Sequence, residues 1–368
     1  MNGPIVLAAG GTGGHMNPAR ALADEFTTRG RKLALFTDYR GDRIGESLVD
    51  VETVQISSAS TSGKCGKGHF QTLKMIITGI RQARRALIRL QPSAVIGFGG
   101  YPSLPTMLAA KLSGFPTLLH EQNAVLGRVN RFLAPWATAT ALSIANTDRV
   151  PRLTRQKVYV TGNPIRREVS DIRKKPYQVP SSDGPITLLV FGGSQGASVL
   201  SLIVPVAIAR INRGLRVRLQ VSQQCRPEDL AIARSEYMKA DVRADVAPYF
   251  SDLPKRLDSA HLVISRSGAS TVAELAAAGR PALLVPYPSA TDDHQTANAR
   301  VLSDLGGAEL IQEKDFTSDG LARKLDEILI DHEHLAATAK AASSIGLTDG
   351  AIKLANLVES VAELRHPQ

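Results

Sequence analysis

Short apolar runs alternate along this chain with longer stretches in which apolar positions recur at helical spacing, three and four residues apart. The runs at 5–9, 32–37, 51–56, 94–98, 117–120, 138–142 and 157–160 read as buried strands of a first half. Those at 186–191, 215–221, 242–246, 262–264, 282–285 and 308–311 read as the strands of a second. Helical patterns lie between them, at 18–29, 70–90 and 103–112, then at 197–211, 227–239, 270–278 and 295–305. Such alternation means parallel sheets covered by helices on both faces. The rhythm breaks at Gly162-Asn163-Pro164 and across the polar stretch 171–184, both rich in turn-forming residues. The pattern therefore predicts two α/β units, residues 1–162 and 163–346. A last helical run at 351–364, inside a segment of about 347–366, crosses back over the first unit.

Two glycine-rich turns of similar design follow the first strand of each half. They are Gly10-Gly11-Thr12-Gly13-Gly14-His15 and Gly192-Gly193-Ser194-Gln195-Gly196. Glycines there allow positive φ and bring bare N–H groups against an oxygen-rich ligand, while the following helix directs its positive end to the same point. A duplicated entry of this kind predicts twin units facing each other across a cleft, with a phosphate-bearing ligand between them. A dehydrogenase reading fails on spacing, because the third glycine of G-x-G-x-x-G falls at Met16, although Asp38 is placed to hold a ribose. The chain also contains no G-x-x-x-x-G-K-[ST] loop, which removes the P-loop reading.

Charge narrows the choice of partners. The chain of 368 residues carries a formal net charge of +10. Between Thr53 and Thr147 it has a single acidic residue, Glu121, against Lys64, Lys67, Lys74, Arg81, Arg84, Arg85, Arg89, Lys111, Arg128 and Arg131. The helix at 70–90 sets an apolar stripe of Leu73, Ile76, Ile77, Ile80, Ala83, Leu87 and Leu90 beside a basic face of Lys74, Arg81, Arg85 and Arg89. Such a helix either rests on an anionic membrane surface or packs on the core with a solvated basic side. The absence of aromatic interleaving and of a groove-reading motif argues against nucleic acid. No apolar stretch reaches the ~20 residues of a membrane span, and the N-terminus has no signal-peptide pattern, which predicts a cytoplasmic protein. Cys65 and Cys225 lie far apart, so neither a disulfide framework nor a zinc site is expected.

The candidate chemistry sits at the ends of strands. His15 opens the helix after the first glycine loop, and an imidazole suits either general base work or capping of that loop. His120-Glu121-Gln122-Asn123 follows a strand, where Glu121 either makes a functional contact or offsets nearby arginines. Ser265-Arg266-Ser267-Gly268-Ala269-Ser270-Thr271 forms a second anion seat. There the first-turn N–H groups and the Ser270 and Thr271 hydroxyls hold a diphosphate, and Glu274 accepts from a ribose diol or simply complements the helix dipole. Gln295 and Asn298 share a helical face and either read sugar groups or cap the helix. Asp292 and Asp293 lack an obvious third ligand, so no metal site is indicated.

In order along the chain, the two glycine turns, Gly97-Phe98-Gly99-Gly100-Tyr101, His120-Glu121-Gln122-Asn123, Gly162-Asn163-Pro164-Ile165-Arg166, Ser265-Arg266-Ser267-Gly268 and Asp293-His294-Gln295-Thr296-Ala297-Asn298 resemble the MurG family. These are the UDP-N-acetylglucosamine transferases of bacterial peptidoglycan synthesis. Leu104 and His294 depart from the family pattern. The resemblance implies a GT-B glycosyltransferase of two Rossmann-like domains. It would move N-acetylglucosamine from UDP-N-acetylglucosamine to the 4-hydroxyl of undecaprenyl-pyrophosphoryl-N-acetylmuramyl-pentapeptide (lipid I), giving lipid II with inversion. It further implies donor binding by Thr12, Gly13, Gly14, Asn123, Arg166, Ser194, Ser270, Thr271, Glu274 and Gln295, with Phe250 near the uracil. His15 and Tyr101 would face the acceptor, His15 being the candidate base and Glu121 the reserve. No cofactor is required and no divalent cation is indicated. Because the acceptor is a membrane lipid, the enzyme is expected to be peripheral on the cytoplasmic face, with Leu73, Ile76, Ile77, Ile80, Lys74, Arg81 and Arg85 against the anionic surface. The resemblance leaves room for cell-wall or division proteins as partners. The alternatives are a UDP-N-acetylglucosamine 2-epimerase-like enzyme and a nucleotide-sugar sensor without turnover.

Overall fold

A computed structural model describes residues 3–11, 13–39, 51–58, 69–193 and 196–363. The chain divides into two compact units, Met1–Ile165 with Asp349–Gln368, and Arg166–Thr348. The first holds a seven-stranded parallel sheet in the order β3-β2-β1-β4-β5-β6-β7. Its strands are β1 Ile5–Ala8, β2 Leu33–Thr37, β3 Glu52–Gln55, β4 Ala94–Gly97, β5 Thr117–Glu121, β6 Ala139–Leu142 and β7 Val158–Val160. β1, β2, β4, β5 and β6 are buried along their whole length, as continuous apolar runs of parallel sheets require.

The helices Gly13–Thr28 and Gly350–Glu363 cover one face of this sheet. Met16, Leu22 and Phe26 from the first pack with Leu354, Val358 and Val361 from the second against Ile5 and Leu7. Arg29 then joins the two helices through Glu359, at 2.8 Å, and Asn356, at 2.8 Å. The first helix begins ahead of Pro18, the residue at which the sequence pattern placed its start. The cost of the missing Pro18 N–H is limited to the first turns, where the helix has few bonds to lose.

The second unit holds a six-stranded parallel sheet in the order β10-β9-β8-β11-β12-β13. Its strands are β8 Ile186–Phe191, β9 Leu219–Gln224, β10 Arg243–Ala247, β11 Leu262–Ser265, β12 Ala282–Leu284 and β13 Glu309–Leu310. β9 corrects the strand expected at 215–221. Residues Arg213–Arg216 form a single helical turn capped by Asn212, whose side-chain oxygen accepts from Gly214 N–H at 2.8 Å. That local bond competes with extended structure.

The helix His69–Leu90 divides its stripe. Ala83 and Leu87 are fully buried in the core, whereas Leu73 is 55% and Ile77 40% exposed. Ile76 and Ile80 are intermediate, and Lys74, Arg81 and Arg85 are exposed. The second half of the helix is therefore a core helix, and its first half presents apolar and basic side chains to solvent. No helix among the described residues is long and apolar enough to cross a membrane.

Candidate active site

In each sheet the strand order reverses beside the first strand, between β1 and β4 in one unit and between β8 and β11 in the other. Loops at the carboxyl ends of such strands form the usual ligand site of open α/β sheets. In the first unit these are the loops after β1, β4 and β5. Gly11 takes φ +84 and donates its N–H to Asp38 Oδ1 at 3.2 Å. Asp38, suited by position to a ribose, thus fixes the glycine loop instead. Gly13 is buried and Gly14 exposed, while Thr12 lies outside the described residues.

His15 stands in the first turn of the helix that follows, half-buried, with Nδ1 3.1 Å from Gln122 Oε1. Gln122, itself 1% exposed, places Nε2 2.9 Å from His120 Nδ1 and 3.0 Å from the His120 carbonyl. His120 Nε2 lies 3.3 Å from the Gly162 carbonyl. Burial pushes the His120 pKa down to about 4; the bond to Gly162 raises it and the neighbouring His15 lowers it. On the other side of His15 stands Gly100, at φ +73, where an added Cβ would come within 3.1 Å of His15 Nε2. Only a glycine fits that backbone and that approach without strain. Tyr101 follows it, half-buried against the core beneath the helix Gly100–Leu112.

Glu121 is 2% exposed and accepts four hydrogen bonds. Oε1 accepts from the backbone N–H and the side-chain amide of Asn123, both at 3.0 Å. Oε2 accepts from Gly127 N–H at 2.8 Å and Asn130 Nδ2 at 2.9 Å. A carboxylate offers about four acceptor sites, so these donors fill it. Its partners are amides, and among the described residues no arginine pairs with it. Glu121 organises the 121–130 loop; Asn123, a donor-site candidate, is one of the groups it holds.

The corresponding edge of the second unit carries charge. Arg166 donates from Nε and Nη2 to the two oxygens of Glu274, at 2.8 and 2.7 Å. Burial works against the Arg166 charge, but the bonds to Glu274 and its negative charge outweigh that and hold the guanidinium above its ordinary range. This bidentate geometry leaves Nη1 without a partner among the described residues. Glu274 lies on the helix Ala269–Ala278, whose N-cap, Gly268, supplies no side-chain bond. The first-turn N–H groups are consequently uncapped by a side chain. Ser270 Oγ is buried there without a partner, beside a half-buried Thr271. Ser194 lies outside the described residues.

Gln295 Oε1 accepts from Tyr287 N–H at 2.9 Å, which leaves its amide nitrogen for another group. Asn298, expected to share a sugar-reading face, is fully buried and donates to the Ser267 carbonyl at 3.1 Å. It ties the following helix to the Ser267-Gly268 loop and does not face outward. Asp292 and Asp293 take φ +56 and +52 just ahead of that helix, a strained pair of the kind found at ligand sites. Phe250 is 6% exposed, with the Arg256 guanidinium 3.8 Å above its ring centre, so one face is already covered. Sequence reasoning missed the roles of Gln122, His120 and Asp38; the only signal was that His120 and Gln122 flank Glu121 in one motif.

Two parallel α/β units, each with its loops at the switch point, are the two Rossmann-like domains of the GT-B fold. The models for the glycosyltransferase family 28 N-terminal and C-terminal domains match residues 5–142 and 187–355. The chain is 48% identical over 363 residues to the UDP-N-acetylglucosamine–N-acetylmuramyl-(pentapeptide) pyrophosphoryl-undecaprenol N-acetylglucosamine transferase of Zymomonas mobilis, covering 98% of this chain and 94% of that one. It is 49% identical to the protein of the same name from Paramagnetospirillum magneticum, covering 96% and 95%. The crystal structure of Acinetobacter baumannii MurG superposes with a TM-score of 0.76 at 29% identity, covering 97% of this chain and 99% of that one. A putative UDP-N-acetylglucosamine 2-epimerase from Listeria monocytogenes, at TM-score 0.67 and 14% identity over 100% and 97%, shares the fold. The chain belongs to the MurG family of glycosyltransferases.

Proposed function

We propose that this chain transfers N-acetylglucosamine from UDP-N-acetylglucosamine to the 4-hydroxyl of lipid I, forming lipid II. What carries the reading is its near-full-length kinship with transferases named for that donor and that acceptor. In the reaction His15 Nε2 takes the proton of the acceptor hydroxyl as its oxygen attacks the anomeric carbon from the face opposite UDP. The new glycosidic bond forms while the bond to the diphosphate oxygen breaks, inverting the centre, and UDP departs with the electron pair. Tyr101 lines the acceptor. Gly13, Gly14 and Asn123, with Thr12, meet the donor sugar, and the amide of Gln295 reads it.

The second unit holds the nucleotide. Glu274, oriented by Arg166, accepts from the ribose diol. Arg166 Nη1, the first-turn amides of the Ala269–Ala278 helix and the hydroxyls of Ser270 and Thr271, together with Ser194, stabilise charge on the leaving diphosphate. Phe250 borders the uracil. Since protein groups supply this positive charge, turnover is expected to survive chelation by EDTA; loss that magnesium restores would assign that work to a cation. Leu73, Ile76, Ile77 and Ile80 with Lys74, Arg81 and Arg85 seat the enzyme on the anionic cytoplasmic face, where lipid I resides. Leu73→Asp with Ile77→Asp is expected to release the protein from anionic vesicles.

The test supplies the purified chain with radiolabelled UDP-N-acetylglucosamine and a lipid I analogue. Labelled, β-linked lipid product with stoichiometric UDP is the expected result. UDP-N-acetylmannosamine formed without acceptor would indicate an epimerase, and saturable binding without turnover a sensor; either overturns the reading.

A further inference from the structure

We infer that Gln122 is a positioning residue that locks His15 in the Nδ1–H tautomer, leaving Nε2 bare beside Gly100. The catalytic consequence rests on His15 being the base, as proposed above; the tautomer itself does not.

The assignment follows from two carbonyl groups, which only accept. The His120 carbonyl lies 3.0 Å from Gln122 Nε2, so the nitrogen of that amide faces His120 and its oxygen faces His15. The Gly162 carbonyl lies 3.3 Å from His120 Nε2, so that ring nitrogen carries a hydrogen. His120 is fully buried and neutral, and its Nδ1 is therefore bare and accepts the second Gln122 N–H at 2.9 Å. All three hydrogen-bonding positions that Gln122 directs at these groups are now assigned. Oε1 has no hydrogen to give, so His15 Nδ1, 3.1 Å away, must be the donor. A neutral His15 then presents an unprotonated Nε2, the form that takes a proton.

The choice of an amide has its own consequence. A carboxylate in this place would orient the ring equally well but would also favour the imidazolium. The amide fixes the tautomer without adding negative charge. His120 serves as the anchor that stops the amide from turning over, which would present N–H to His15 and reverse the tautomer.

The experiment uses the full-length chain labelled with nitrogen-15 histidine, the His15 signals being assigned by their loss in His15→Gln. At mildly alkaline pH, two-bond proton–nitrogen spectra are expected to show His15 protonated on Nδ1 and bare on Nε2. In Gln122→Leu the spectrum shifts toward Nε2–H or an averaged mixture, and kcat falls about tenfold to a hundredfold, less than the ~10²- to 10⁴-fold of losing the general base itself. KM for UDP-N-acetylglucosamine stays near the wild-type value, which a disrupted fold would not allow. Gln122→Glu moves the acid limb of the pH–kcat profile upward. A wild-type His15 protonated on Nε2 overturns the inference, as does a Gln122→Leu spectrum unchanged from wild type. Full turnover in His15→Ala overturns the proposed base instead, while the Nδ1–H spectrum still decides the role of Gln122.

Discussion

The carboxyl edges of the two sheets are built on the same topology and filled with opposite chemistry. At the edge of the first, His15, Gln122 and His120 are linked through hydrogen bonds, and the carboxylates of Glu121 and Asp38 accept from amide donors. At the edge of the second, charge faces charge: Arg166 meets Glu274, and Arg266 meets Glu313 while donating to the Val285 and Pro286 carbonyls. A neutral network suits a site that must accept and release one proton, since fixed charge would tie the imidazole to one state. A charged one, beside an uncapped helix start, suits a nucleotide diphosphate. The same sheet thus becomes a proton-handling or a phosphate-handling surface through its loops alone.

The largest effect should come from the first edge. His15→Ala is expected to lower kcat about 10²- to 10⁴-fold, the usual worth of a general base, with KM for the donor little changed in steady-state assays. A comparable loss from Glu121→Ala with an unaltered melting temperature would break the contrast, because Glu121 is assigned to the loop.

Next is the acid sensitivity that His120 brings to the first edge. The pKa of His120 is depressed to about 4 in the folded chain, against about 6.5 when unfolded. Above 6.5 both states leave the ring neutral, and its contribution is fully present. As pH falls from about 6.5 toward 4 the unfolded chain binds the extra proton and stability drops, by about 3 kcal/mol in all. Chemical denaturation across that window should show a shallower slope in His120→Asn; an identical slope would mean that the folded His120 titrates no lower than the unfolded one.

Smaller is Gly100→Ala. The positive φ costs a non-glycine residue about 1–2 kcal/mol, and the added methyl meets His15 Nε2. A lower melting temperature with a disproportionate loss of kcat is expected, and a purely thermal effect would separate Gly100 from His15. The smallest effect is Arg29→Ala, about 1 kcal/mol or less for a pair still partly open to water. It loosens the Gly350–Glu363 helix without altering kinetics, as expected for a charge that only joins two helices.

Much of this was readable in advance. The glycine turns, the strands around them and the returning C-terminal helix follow from periodicity and turn chemistry, which act over a few residues. Arg166 and Glu274 were both named as donor-site residues, yet their direct pairing across 108 positions was not visible. The His15–Gln122 bond spans 107 positions, and nothing local marks Gln122 as different from a surface glutamine. The hydrogen bonding of Glu121 was not legible, because its donors, Gly127 and Asn130, enter only when the 121–130 loop closes on it. Asn298 looked outward by helical spacing, but the Ser267 carbonyl draws it inward. Charged and buried contacts of this kind depend on which loops the sheet order brings together.

The division of labour is tested most directly by calorimetric titration of UDP into the wild-type chain, His15→Ala and Glu274→Ala. The account predicts unchanged affinity in His15→Ala and affinity weakened about 10- to 100-fold in Glu274→Ala, as expected for losing about 1.5–3 kcal/mol of charge-assisted hydrogen bonding. UDP binding abolished by His15→Ala and untouched by Glu274→Ala would contradict it.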